Sequence, residues 1–382
     1  MGWAGSGLNA FRLEDRIMRP LIDSHLDLAW SALYFNRDLL ASVAEVRRSE
    51  QGMTDELSRG RNTLTLPELR RARVGLCVAT VLARGGPGQP ERAGWKRTDL
   101  DYRNPLIAYS HAKGQLAYYR LLEQQGHLRL ITTRAELQVH WDAWCKAPEK
   151  TPLGIILSME GADPIVEPAQ VQAWWAEGLR AVGPVHYGRS QYAFGTSMDG
   201  PLSLAGVELL RQFMRVGMIL DVTHLSDQSF FQALDIYSGP VLASHHNCRA
   251  LVPGDRQFSD EQLQLLIRRD AVIGTAFDAW MLYPGWKRGE TPPAVVSMEA
   301  AADHLDHICQ LAGSARHCAF GTDLDGGFGA EQTPGDLDTI SDIHKLEAIL
   351  SRRGYSDSDI DAIFFCNWLR FFSQALPQTT KP

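Results

Sequence analysis

The chain has 382 residues, 45% of them apolar and 22% charged, with a formal net charge of −7 at pH 7. That apolar share supports a sizeable core, and the 38 Lys and Arg are scattered rather than massed, which excludes a phosphate-binding face and with it a nucleic-acid partner. Six cysteines form no C-x-x-C pair and sit mostly in apolar segments, as reduced thiols do, so a reducing, cytoplasmic location is expected.

Along the chain, the first twenty residues lack the apolar stretch of a signal peptide, and no run approaches the ~18 apolar residues of a membrane span. MGWAGS matches the myristoylation pattern, which is short and of low specificity, and the polar end ALPQTTKP excludes a GPI tail. No membrane contact is expected.

Short apolar runs predict strands near 21–25, 75–82, 153–159, 179–185, 217–223, 240–244, 271–277 and 317–322. Helical periodicity falls between and after them, at 104–125, 168–178, 204–216, 226–236, 260–269, 297–312, 338–353 and 358–375. Nearly continuous apolar strands such as LGIILS and GMILDV suit a parallel sheet covered on both faces. Eight alternating units predict an α/β fold, a (β/α)8 TIM barrel, with residues 1–382 as one domain. Two long segments, 31–74 and 83–152, leave C-terminal strand ends and are expected to wall a pocket there. The loop ARGGPGQPERAGW within the second has no G-K-[ST] and is not a phosphate-binding loop.

The C-terminal strand ends are rich in metal-binding residue types. In LIDSHLDLAW, His25 and Asp27 lie two apart, so they share a face of the strand. Glu160 ends the third strand, His186 the fourth, His224 the fifth, the tandem His245 and His246 the sixth, and Asp323 with Asp325 the eighth. Any one of these would pass as a capping or core residue, but a barrel brings all of them to one mouth. Imidazoles with carboxylates suit Zn²⁺ or a similar ion, and one carboxylate placed between two ions can bridge them. Two ions about 3.5–4 Å apart acidify a shared water toward neutral pH, which makes hydrolysis the natural chemistry. His304 and His307 are expected on a solvated helix face. The loop from Asp323 is no calcium site, with Phe328 at its sixth position and Pro334 at its twelfth.

The series IDSHLDLAW, TLTLPELRRARVG, SMEGAD, VHYGRS, MILDVTHLS, ASHHNCRALVPGDRQFSDEQL and GTDLDGG resembles, in order, the membrane (renal-type) dipeptidases, peptidase family M19, within the amidohydrolase-like metal barrels. The resemblance runs from about residue 20 to about residue 330. It implies a dipeptidase in which His25 and Asp27 bind one Zn²⁺, His224 and His245 bind the other, and Glu160 with a water or hydroxide bridges the two. It implies further that His186 contacts the scissile carbonyl, Arg256 holds the substrate carboxylate and Asp323 moves protons. His245 is chosen over His246 because Arg256 then falls at the family's spacing, and neighbouring strand residues face opposite ways.

The long aromatic segment 278–294 departs from the mammalian type and leaves substrate preference open. The expected substrate is a small dipeptide, including ones with a C-terminal D residue, and a homodimer is left open. Hydrolysis of another small amide or lactam, or a non-peptidase tailoring or binding role, are the alternatives.

Overall fold

A computed structural model of the chain describes residues 18–85 and 100–379. The MGWAGS pattern and residues 86–95 of the Gly- and Pro-rich loop lie outside the described residues.

The strands are β1 (Leu21–Leu26), β2 (Val74–Leu82), β3 (Leu128–Leu130), β4 (Leu153–Glu160), β5 (Leu179–Gly183), β6 (Ile219–Asp221), β7 (Val241–Leu242), β8 (Ile273–Thr275) and β9 (Cys318–Phe320). All pairings among them are parallel, in the order β7-β6-β5-β4-β2-β1-β9-β8. A bridge between Ala243 and Ile273 joins the two ends, so eight of the strands form a (β/α)8 barrel. Every residue of β1, β2 and β4 is buried, as expected of strands packed on the barrel interior on one side and on helices on the other. At the seam, Gly274 and Gly321 let backbones meet. A Cβ on Gly321 would lie 1.7 Å from the Ser244 carbonyl oxygen, and one on Gly274 would lie 2.0 Å from it.

The ninth strand, β3, was not expected; it pairs with the first half of β4, outside the ring. Three residues of LRL are too few for a periodic signal. A helix at Arg134–Lys146 follows it, opened by a reciprocal Thr133/Glu136 cap that the sequence carries in legible form. The segment after β1 likewise folds into helices at Leu28–Phe35, Val43–Ser49 and Leu66–Arg71. It is tied across the mouth by Asp325, whose carboxylate accepts from the backbone N–H and hydroxyl of Thr63, both at 2.8 Å, and from Leu64 N at 3.3 Å.

The helix at Lys345–Arg352 packs on the helix at Met298–Ala312, while the C-terminal helix at Asn367–Ala375 and the turn at Ala362–Cys366 before it pack against β9. There Trp368 Nε1 donates to the Phe320 carbonyl at 2.9 Å, and the Asn367 amide donates to Ala315 and Cys318 carbonyls at 2.6 and 2.8 Å.

His304 departs from expectation. It is buried, and its Nδ1 accepts from Cys248 N at 3.0 Å, so it serves packing between the helix and the loop after β7. Burial pushes its pKa down to about 3. His307 is half-buried and pairs with Asp260 at 2.8 Å. All six cysteines are free thiols.

Candidate metal and substrate site

The site is built at the C-terminal mouth of the barrel. β1 carries His25 on its last turn of pleat, and Asp27 follows as the chain leaves the strand for the helix at Leu28–Phe35. Two buried groups fix this corner. Asp23 accepts from His25 N and Thr322 N, both at 3.0 Å, tying β1 to the turn after β9, and the Thr80 hydroxyl of β2 donates to Asp27 Oδ1.

Glu160, at the end of β4, faces two ways. Its Oε2 lies 3.6 Å from His25 Nε2, while its Oε1 lies 3.2 Å from His224 Nε2 and 3.3 Å from His245 Nε2. His186 Nε2 stands 3.7 Å from the same Oε1. His25 Nε2 is also 3.8 Å from Asp27 Oδ2 and 3.7 Å from Asp323 Oδ1. Among the described residues, the groups that gather ligand atoms within 4.8 Å are His25–Asp27–Glu160, Glu160–His224–His245 and His25–His245–Asp323. All but Asp323 are buried.

These residues fit metal. Both ring nitrogens of His25 are buried without a hydrogen-bond partner, although three carboxylates surround Nε2, a spacing suited to an ion between them. His224 is oriented by the Thr196 hydroxyl at 2.9 Å from its Nδ1, and His245 by the Ser244 hydroxyl at 2.9 Å from its Nδ1. That arrangement leaves each Nε2 to serve as a ligand atom.

The electrostatics agree. Burial holds the His224 and His245 pKa values well down, with help from cationic neighbours that include Arg256. Burial, then Glu160, keeps Asp27 above its ordinary range. Burial also raises Asp323, with Glu160 and Asp27 adding to it against the pull of His25. Burial opposes ionisation of Glu160, but the surrounding imidazoles win and hold it well below its usual range. His25 goes the other way: burial opposes its charge, but Glu160 and Asp27 raise it well above its ordinary value, so the carboxylates draw a positive charge to the place where a cation would complete the site.

The expected residues that face this mouth are thus His25, Asp27, Glu160, His186, His224, His245 and Asp323. His246 does not. It turns away and stacks on Phe258, with ring centres 3.3 Å apart and planes within 6°. Asp325, as described, is a strap anchor.

Arg256 is 2% exposed, and its Nη2 donates to the His245 carbonyl at 3.0 Å. Its Nε and Nη1 are buried without partners. It lines a cavity of about 190 Å³ with Asp27, Glu160, His186 and Asp323. Tyr187, Asp278, Trp280 and Gln332 line it too, and sequence reasoning did not single them out. The aromatic, insertion-like character of 278–294 hinted at Asp278 and Trp280 alone.

Arg84, two residues past the end of β2, was missed as well. Its Nη1 lies 3.4 Å from His186 Nδ1, while its Nε and Nη2 hold Asp101 at 2.6 and 2.8 Å. Burial pushes the His186 pKa to about 3, and Arg84 adds to the shift while Glu160 opposes it.

The chain is similar to proteins of known family. Dipeptidase aclJ of Aspergillus oryzae is 26% identical over 374 residues, covering 95% of this chain and 80% of that protein. The crystal structure of a dipeptidase AC, a family M19 metallopeptidase, superposes with a TM-score of 0.75 at 21% identity, covering 94% of this chain and 99% of the other. A metallopeptidase from Rhodobacter sphaeroides, liganded with a phosphinate mimic of L-Ala-D-Ala, gives 0.74 at 20% identity, over 94% of this chain and 100% of its own. The model of the membrane dipeptidase family matches residues 13–381. The chain therefore belongs to the membrane dipeptidases, peptidase family M19, and is a metal-dependent dipeptidase.

Proposed function

We propose that this protein is a dinuclear zinc dipeptidase that hydrolyses the single peptide bond of small dipeptides, including those with a C-terminal D residue. The observation that carries the reading is the two-way placement of Glu160, with one oxygen toward His25 and the other toward His224 and His245. His25 and Asp27 would hold one ion, His224 and His245 the second, and Glu160 would be shared. When bound, such a pair supplies Lewis acidity and lowers the pKa of water toward neutrality.

The protein's own groups would then do the following. The unpartnered Nε and Nη1 of Arg256 are donors left for the substrate's terminal carboxylate, a charge-assisted contact. Because the guanidinium of Arg84 can only donate, its approach to His186 Nδ1 leaves the ring proton on Nε2. His186 Nε2–H is therefore a donor at the mouth, placed for the carbonyl oxygen as charge develops there. Asp323 accepts the proton of the attacking water and returns it to the departing amine.

We read residues 1–382 as one domain and the protein as cytoplasmic, on the strength of its free thiols. No helix among the described residues is long and apolar enough to cross a membrane.

The test is a panel of L,L and L,D dipeptides, with their C-terminal amides, on zinc-loaded enzyme. Dipeptides should turn over. The amides should be slower by roughly ten- to two-hundredfold, the worth of a charge-assisted hydrogen bond. A metal-replete enzyme that cleaves no dipeptide would overturn the reading.

A further inference from the structure

The substrate cavity holds two opposite charges, neither of them in an ion pair within 4.0 Å. Arg256 is one. The other is Asp278, which follows β8 and is 6% exposed. No cation lies within 4.0 Å of it among the described residues, and Arg256 likewise has no anion.

Asp278 is held rigidly. Gln332 Nε2 donates to both its oxygens at 2.9 Å, Trp280 Nε1 donates at 2.6 Å, and Trp280 N at 3.4 Å. The Gln332 amide turns its nitrogen toward Asp278, and its Oε1 is left buried with no partner. Asp278 and Gln332 Oε1 thus offer acceptors, while Arg256 Nε and Nη1 offer donors in the same cavity. The remaining carboxylates that line the cavity, Asp27, Glu160 and Asp323, belong to the cluster around His25.

A dipeptide carries one carboxylate and one α-ammonium, and the cavity supplies one unpaired guanidinium and one unpaired carboxylate outside that cluster. We propose that Asp278, backed by Gln332 Oε1, is the subsite for the free α-amino group of the substrate, so that the cavity recognises a dipeptide by both of its ends.

An ammonium has three N–H donors, which suits a carboxylate with spare lone pairs beside an unused amide oxygen. Burial pushes the Asp278 pKa up to about 7, against the hydrogen bonds of Gln332 and Trp280 and the charge of Arg256. The inference rests on the dipeptidase reading and adds a requirement that reading does not contain. A peptide blocked at its amino end, such as N-acetyl-Ala-Ala, leaves Asp278 uncompensated and should be rejected.

The experiment compares kcat/KM for Ala-Ala and N-acetyl-Ala-Ala on the zinc-loaded wild type, D278N and D278E. It also compares, by calorimetry, binding of a dipeptide phosphinate and its desamino analogue. In the wild type, the free amine should be favoured at least tenfold in both measurements. D278N should bring both ratios close to one, and D278E should restore part of the preference.

Equal cleavage of the free and blocked dipeptides by wild type would overturn the subsite and leave the dipeptidase reading standing. So would a preference that survives in D278N. A preference for Ala-Lys over Ala-norleucine that D278N abolishes, with no discrimination against N-acetyl-Ala-Ala, would also overturn it by assigning Asp278 to the side chain. If wild type cleaves no dipeptide, the dipeptidase reading falls and the paired phosphinate affinities still decide the subsite. The wild-type comparison stands even if D278N fails to fold.

Discussion

His224 and His245 direct their Nε2 atoms at each other across 3.2 Å, and each lies within 3.3 Å of Glu160 Oε1. With each hydroxyl accepting from Nδ1–H, the two facing nitrogens present lone pairs to one another, an arrangement that is unfavourable until a cation lies between them. Elemental analysis should therefore find close to two zinc ions per chain. Chelation should lower the melting temperature, and zinc restored to about one hundred times its Kd should return about 2.7 kcal/mol of stability. Glu160→Ala should reduce occupancy of both positions together. Loss of only one ion would deny the shared role.

The Thr196 hydroxyl orients His224 through a 2.9 Å contact at Nδ1. Thr196→Val keeps the branched shape and removes that partner. Metal affinity, measured by competition with a chromogenic chelator, should fall roughly ten- to one-hundredfold. An unchanged affinity would show that packing alone orients the ring.

Asp323 sits at φ +60°, a left-handed backbone that Asn tolerates and most side chains do not. Asp323→Asn is accordingly the clean test of its proton transfer. The variant should retain both metals and bind a phosphinate mimic, while kcat falls by roughly 10²–10⁴. Near-normal turnover would remove Asp323 from the chemistry, and loss of an ion would make it a ligand.

Asp163 lies outside the metal cluster, with Gly85 N donating to it at 2.9 Å and Gln191 N at 3.4 Å. Burial raises its pKa from the ordinary 3.8 to about 7. Between these values the native state binds more protons than the unfolded state, so this group's contribution to stability declines as pH rises from about 4 to about 7. Asp163→Asn stays neutral throughout. Urea midpoints should show the variant gaining on wild type across that window and holding its gain above it. A difference independent of pH would place the titration elsewhere.

The metal-binding residue types could be read directly from the sequence, because the barrel's parallel strands end in apolar-to-polar switches at a predictable face. His25 and Asp27 share that face by strand alternation alone, and Glu160, His224 and Asp323 each close an apolar run. The choice between His245 and His246 needed the family spacing from the sequence, and the structure adds its cause. His246 stacks on Phe258, a residue brought beside it by the Cys248–Phe258 bridge in the loop that follows. Asp325 carries the same chemistry as Asp323 two residues earlier, yet it faces Thr63 and not the cluster. Residue type could not separate those two aspartates, since the direction of Asp325 is set by a strap more than 250 residues away. Arg84, Thr196, Asp278 and Gln332 lay beyond sequence reasoning for the same reason. Each acts through partners distant in the chain, such as His186 for Arg84 and Asp278 for Gln332, and no local periodicity encodes such a meeting. Local pattern determined which strand ends carry chemistry; closure of the barrel decided which side chains share a cavity and which charges in it remain unpaired.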